Sequence, residues 1–255
     1  MNKATTLTLL LCLLICPSKA QNAADTASTP AATRQHHWSV GVTAGSDRNY
    51  HQVDMSYMKD IKYDKYTQGN TFGLHVQYNP VKWLGLRLDG VWIQKNYHMD
   101  HVSMIDNTRY ATTYTTTDNN YINVPLTVDL SFGRLVRIHL TGGGYVGYWM
   151  TSHRTGSSFS MTHMMYGDES TDTFDEDVPF NDTRDQRLDA GLTFGAGVGT
   201  NVLGLLGGEA LQRLTLEFEI RWYYGMLDIQ KDYMRNLNPR YNTTLAFQGG
   251  ISYTL

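Results

Sequence analysis

From Tyr121 to Leu130 the chain alternates without a break. Ile122, Val124, Leu126, Val128 and Leu130 fall on one side of an extended backbone, and Tyr121, Asn123, Pro125, Thr127 and Asp129 on the other. Successive strand side chains point to opposite faces, so this run predicts a β-strand with one apolar and one polar face. The same period recurs in seven further segments. Their apolar faces are Trp38–Val40–Val42–Ala44, Phe72–Leu74–Val76–Tyr78 and Leu84–Leu86–Leu88–Trp92 before it. After it come Val136–Ile138–Leu140 with Val146–Tyr148–Met150, then Leu188 to Val198, Leu214 to Trp222, and Leu245–Phe247 with Ile251–Tyr253–Leu255. The third segment blurs at Val91 and Ile93, where a bulge is expected.

Eight is an even number, as bacterial membrane barrels require. Several runs reach nine residues, enough to cross hydrocarbon at a tilt, whereas soluble strands usually stop at about five or six. Between these strand limits the connections are 27, 5, 28, 5, 37, 14 and 21 residues, alternately long and short. A barrel with both termini in the periplasm favours that sorting, with short periplasmic turns and long extracellular loops. A soluble sandwich has no physical reason for it. The expected fold is therefore all-β: an eight-stranded antiparallel transmembrane β-barrel over residues 37–255.

The polar faces carry Arg87, Asp89, Asp129, Arg137, Asp189, Arg213, Glu217, Glu219 and Arg221, interleaved with Gly, Thr and Ser. Inside so narrow a barrel these charges must pair to survive burial. They predict a luminal ionic network that holds the barrel rigid, with glycines leaving room for the arginines. On the apolar side, Trp38, Tyr78, Trp92, Tyr148, Trp222 and Tyr253 lie towards strand ends and suit interfacial girdles.

Residues 1–20 read as a secretory signal peptide: Lys3, an apolar core from Leu9 to Cys16, and Ser18-Lys19-Ala20 as the cleavage site. About a dozen apolar residues are too few for a helical span. A lipoprotein reading at Cys16 is weakened by the bulky Ile15 before it. Both cysteines, Cys12 and Cys16, fall in this segment, so a chain starting at Gln21 forms no disulfide. Residues 21–36 have no periodic face and read as a flexible leader. Without Lys3 and Lys19, 19 of the 21 basic residues remain against 24 acidic ones, a net charge of −5 that offers no footing for nucleic acid.

The last eight residues resemble the C-terminal signal by which barrels are recognised for insertion, with Gln248, Gly250, Tyr253 and Leu255 in its places and Leu where Phe is commoner. That resemblance implies the barrel assembly machinery as a partner during insertion. The whole of residues 38–255 is similar to the outer membrane β-barrel domain family of Bacteroidota, which includes PorT-like small barrels. The matching pieces are Tyr121-Ile122-Asn123-Val124-Pro125-Leu126, Thr141-Gly142-Gly143-Gly144-Tyr145, Gly195-Ala196-Gly197, Leu216-Glu217 and Arg221 to Ile229. Members often have an acidic residue where Asn123 stands. The resemblance implies the fold and is nearly silent on function.

Catalysis is not expected. Ser152-His153 and Ser157-Ser158 are the nearest candidates, but adjacent strand residues point to opposite sides, away from the geometry a nucleophile and its base need. The acidic stretch 151–187 holds Asp168, Glu169, Asp172, Asp175, Glu176, Asp177, Asp182 and Asp185 in no EF-hand spacing. A solvated loop near lipopolysaccharide accounts for it better than a Ca²⁺ site, so no cofactor or metal is expected. Met161, Met164, Met165 and Phe174 in it are placed to pack on the barrel mouth or a partner. Tyr57, Met58, Ile61, Tyr63 and Tyr66, with Lys59, Lys62 and Lys65 between them, read as a strand extension above the membrane. These readings converge on a non-enzymatic outer membrane barrel, a scaffold or a loop-mediated interaction protein in contact with outer membrane lipid and lipopolysaccharide. Alternatives are a secretion or transport component and, below it, a small pore.

Overall fold

A computed structural model describes residues 38–53, 61–63, 66–105, 108–133, 136–159, 171–201, 207, 209–231 and 240–255. The signal, the leader and the methionines at 161, 164 and 165 lie outside them, as do Tyr57, Met58 and Lys59. The strands are β1 Trp38–Val53, β2 Ile61–Tyr63, β3 Thr67–Val81, β4 Leu84–Gln94, β5 Tyr97–Ile105, β6 Thr108–Gly133, β7 Val136–Phe159, β8 Thr171–Asp177, β9 Leu188–Thr200, β10 Leu214–Gly225 and β11 Arg240–Thr254. One short helix, α1 Glu209–Gln212, precedes β10.

Eight of these strands close on themselves in the order β1-β3-β4-β6-β7-β9-β10-β11, the ring being completed by β11 against β1. Every pairing is antiparallel. Closure leaves no edge within the ring, which removes the hazard of unpaired backbone groups. These are the eight segments that the alternation predicts. The sheet continues beyond the ring at the end opposite the short turns, where β5 adds to β6, β2 adds to β5 and β8 adds to β7.

The faces are sorted inside out. Leu74, Leu88, Leu126, Val146, Phe194 and Phe218 stand exposed, Leu126 at 52%, while their polar neighbours are buried, Thr127 at 1%. Ten residues at about 3.3 Å per residue, tilted some 40°, give an apolar band about 25 Å tall. Pro125 has no N–H to donate, and the β4–β6 ladder skips two pairs beside it, between Leu88↔Leu126 and Val91↔Asn123, without changing register.

The structure corrects one local expectation. Strand β4 has no bulge at Val91 and Ile93; its pairing with β3 is continuous there, and the irregularity lies at Tyr78/Val81. Val91 and Ile93 keep the phase of Arg87 and Asp89 and point inward. With Tyr121, Tyr145, Tyr223 and Ala246 they form a small apolar cluster inside the barrel.

Candidate functional site in the barrel interior

Strands β4 and β10 stand four positions apart in either direction around the ring, on opposite walls. Alternation turns Arg87 and Asp89 inward from one wall and Glu217, Glu219 and Arg221 inward from the other. The side chains meet across the lumen. Arg221 Nη1 lies 3.1 Å from Asp89 Oδ2, and Arg87 Nη1 lies 3.6 Å from Glu217 Oε2 and 3.7 Å from Glu219 Oε2. Along each strand the pairs two residues apart close the set: Arg87 Nε donates to Asp89 Oδ1 at 2.8 Å, and Arg221 Nη2 to Glu219 Oε2 at 2.9 Å. Arg221 Nε also donates to Glu219 Oε1 at 3.1 Å, a two-point grip that a lysine would not reproduce. Arg221 is completely buried.

Neutral groups satisfy what the charges leave open. Thr141 Oγ1 donates to Glu219 Oε1 at 2.8 Å. Arg87 Nη2 lies 3.2 Å from His75 Nδ1, and a guanidinium only donates, so Nδ1 is the acceptor. His75 Nε2–H then faces Ser252 Oγ at 3.0 Å, and Ser252 donates to Glu217 Oε1 at 2.6 Å. The packing depends on glycine: a Cβ at Gly195, opposite Arg221, would collide with Glu219 Oε1 and Thr141 Oγ1.

A second ion pair lies nearer the extended end. Lys95 Nζ is 2.5 Å from Asp189 Oδ2, with the Tyr121 and Tyr145 ring centroids 4.6 and 5.1 Å away. Asp189 is thus separate from the central five, and its partner was not among the residues singled out from sequence. The signal for it was parity: Lys95 continues the inward series Arg87, Asp89, Val91, Ile93 one step past the strand. His75 shows the same parity on β3, but a single histidine between apolar neighbours carries no counter-ion signal of its own.

The remaining predicted charges sit towards the short turns. Asp129 is buried and accepts from Ser131 Oγ. Arg137, half-buried, donates to Thr215 Oγ1 at 3.2 Å. Both line a cavity of about 50 Å³ with Arg87, His139 and Glu217, room for about one or two waters. Arg213, just before β10, is half-buried and receives Thr254 N–H on its backbone carbonyl. At the C-terminus Gln248 faces inward and its Nε2 donates to Thr71 Oγ1 at 3.2 Å, while Leu255 is exposed and bonds through its N–H to Trp38 O at 2.9 Å. Gly250 lies between Thr43 of β1 and Glu217 of β10, and Tyr253 between Val40 and Leu214.

Ser152 and His153 point to opposite faces of β7: Ser152 is buried, and His153 is turned outward between Asp175 and Asp177 of β8. Among the described residues no group of three or more His, Cys, Asp or Glu is arranged to hold a metal ion.

No curated protein matches the chain. Several solved barrels are similar to it. The attachment invasion locus protein Ail of Yersinia pestis is 11% identical over 85% of this chain and 99% of Ail, with a TM-score of 0.40. Neisserial surface protein A is 11% identical over 86% of this chain and 97% of its own, with a TM-score of 0.42. The outer membrane protease OmpT of Escherichia coli is 11% identical over 91% of this chain and 99% of its own, with a TM-score of 0.43. Residues 19–231 match the family described as outer membrane protein beta-barrel domain. With its closed antiparallel ring and exposed apolar face, the chain belongs to that family and is a protein of the cell outer membrane.

Proposed function

We propose that this protein is a non-enzymatic structural barrel that spans the outer membrane with a closed lumen and meets other envelope components through its extended end. The carrying observation is the set of ion pairs between β4 and β10, which run from wall to wall where a channel would have to pass. An eight-stranded ring leaves an interior just wide enough for side chains, and here arginine and glutamate fill it. The exposed apolar band then faces lipid, with the short turns in the periplasm and the strand extensions outside. Gln248, Gly250, Tyr253 and Leu255 serve as the insertion signal read by the assembly machinery. Lipid and lipopolysaccharide are the immediate partners, and the pieces shared with PorT-like barrels support kinship at the level of the scaffold.

Purified protein reconstituted into planar bilayers tests this reading. A closed barrel gives heat-modifiable mobility on a detergent gel and negligible steady conductance. A stable single-channel conductance in wild type, lost on blocking the lumen, would return the protein to the small pores.

A further inference from the structure

At the extended end two segments are tied to β7 and to each other. Val178 to Arg187 crosses against β7, with Val178 N bonding to Ser152 O and Trp149 N to Arg187 O. Met226 to Lys231 meets it through Gln186 N to Ile229 O and Lys231 N to Arg184 O, each 2.9 Å. Asp228 Oδ1 fixes this second segment by accepting from the backbone N–H of Gln230 and of Arg240. Both segments line a cavity of about 300 Å³, whose walls include Tyr97, Trp149, Phe180, Arg184, Gln230 and Arg240. Trp149 stacks flat on Tyr121, 5.7 Å between centroids and 5° between planes, and Tyr121 in turn lies against Lys95. Trp149 thus links the wall of this cup to the packed interior of the ring.

Its polar groups are unevenly satisfied. Arg184 is held by Asp185, and Arg154 on the rim by Glu176. Arg240 Nε and Gln230 Oε1 are buried and have no hydrogen-bond partner among the described residues. Gln230 is 8% exposed. Burying a donor and an acceptor unpaired is costly, and the two call for complementary groups: an anion for the guanidinium and a hydroxyl for the amide oxygen. Trp149 and Phe180, packed edge to face with ring centroids 4.9 Å apart, supply an aromatic wall between them. The volume is at the small end of ligand sites, about 300–1,000 Å³.

We infer that this cup binds an acidic sugar, one ring bearing a carboxylate or a phosphate. The anion is set on Arg240 and a hydroxyl on Gln230 Oε1, with the sugar ring against the aromatic wall beside Trp149. This goes beyond the scaffold role and does not depend on the closed lumen. A phosphorylated sugar headgroup of an outer membrane lipid and a free sugar acid share this chemistry.

The test follows the indole N–H signals of the five tryptophans in full-length protein, with Trp149→Phe assigning the one in the cup. Glucuronate and glucose 6-phosphate are titrated in detergent beside neutral glucose, and separate samples are prepared in nanodiscs with and without lipid A. A saturable shift of the Trp149 signal with either acid, at least about tenfold weaker in Arg240→Gln and absent with glucose, supports a soluble ligand. A shift confined to lipid A discs and lost in Arg240→Gln supports the lipid headgroup. Gln230→Leu should weaken whichever ligand binds. Unboiled gel mobility and the other four indole signals check that each variant is folded. An unmoved Trp149 signal in all arms, equal response to glucose, or undiminished binding by folded Arg240→Gln overturns the proposal.

Discussion

Arg221 on β10 and Asp89 on β4 are 132 residues apart in the chain and on opposite walls of the ring, yet their side chains meet at 3.1 Å. The pair converts the interior from a space into a strut, since each partner is also held by a neighbour two residues along its own strand. Removing Arg221 leaves Asp89 and Glu219 buried without it, a change expected to cost about 3–5 kcal/mol. Arg221→Ala with Glu219→Ala should be milder than the sum of the single changes by more than about 0.5 kcal/mol. Urea unfolding in lipid vesicles reads this coupling, and strict additivity would separate the two residues.

The apolar band makes a depth-dependent prediction. Leu126→Arg places a guanidinium on the exposed face near mid-strand and should cost about 2–4 kcal/mol in a lipid bilayer. Thr127→Arg, one residue on, points into the lumen beside Arg87, its pairing neighbour on β4, and should act through crowding and like charge. Folding yields in thick and thin bilayers separate them. Only the Leu126 variant should improve as the bilayer thins.

Gly195 supplies a test of packing with an internal control. Gly195→Ala meets Glu219 and Thr141, and should destabilise by about 1–3 kcal/mol. Gly90→Ala, where a Cβ meets nothing within 4 Å, should stay close to wild type. Equal stabilities for the two variants would show the centre to be looser than the ion-pair distances imply.

Above the ring, His153 of β7 lies between Asp177, 2.8 Å from Nδ1, and Asp175, 2.7 Å from Nε2. These two hydrogen bonds raise its pKa above the ordinary 6.5. The sign follows from linkage: the stabilising contribution is complete below the unfolded value and is lost as pH rises through the raised folded value. Amide exchange in the β7–β8 hairpin should therefore quicken as pH is taken upward through that range, beyond the intrinsic pH dependence. His153→Gln should flatten the excess, and a hairpin with the same excess in both proteins would assign it elsewhere.

The eight ring strands were legible because the exposed apolar face and the buried polar face impose opposite demands on alternate residues, and β6 from Tyr121 to Leu130 meets both at every step. Where neither face is built of apolar residues the pattern disappears. Thr112 to Thr117 on β6, the partner of β5, has no apolar alternation, so the length of the strand was hidden although threonine favours extended backbone. The β7–β8 hairpin lies within a stretch that composition alone marks as acidic loop. In the interior, five of the nine predicted charges converge on one cluster. Parity fixed which way they point, but not that β4 and β10 would stand opposite, since that follows from ring order. Cross-lumen pairing between β4 and β10 is therefore the organising contact.

The central claim is that lipid faces one side of these strands and a filled lumen the other. Cys12 and Cys16 are the chain's only cysteines, so in protein expressed from Gln21 and refolded, single cysteines placed one at a time from Ile122 to Leu130 give unambiguous labelling sites. Each carries an environment-sensitive fluorophore, and the barrel is reconstituted with lipids brominated on their acyl chains. The account predicts strong quenching at 122, 124, 126, 128 and 130 and little at 123, 125, 127 and 129. Quenching without alternation, or with the opposite phase, would contradict it.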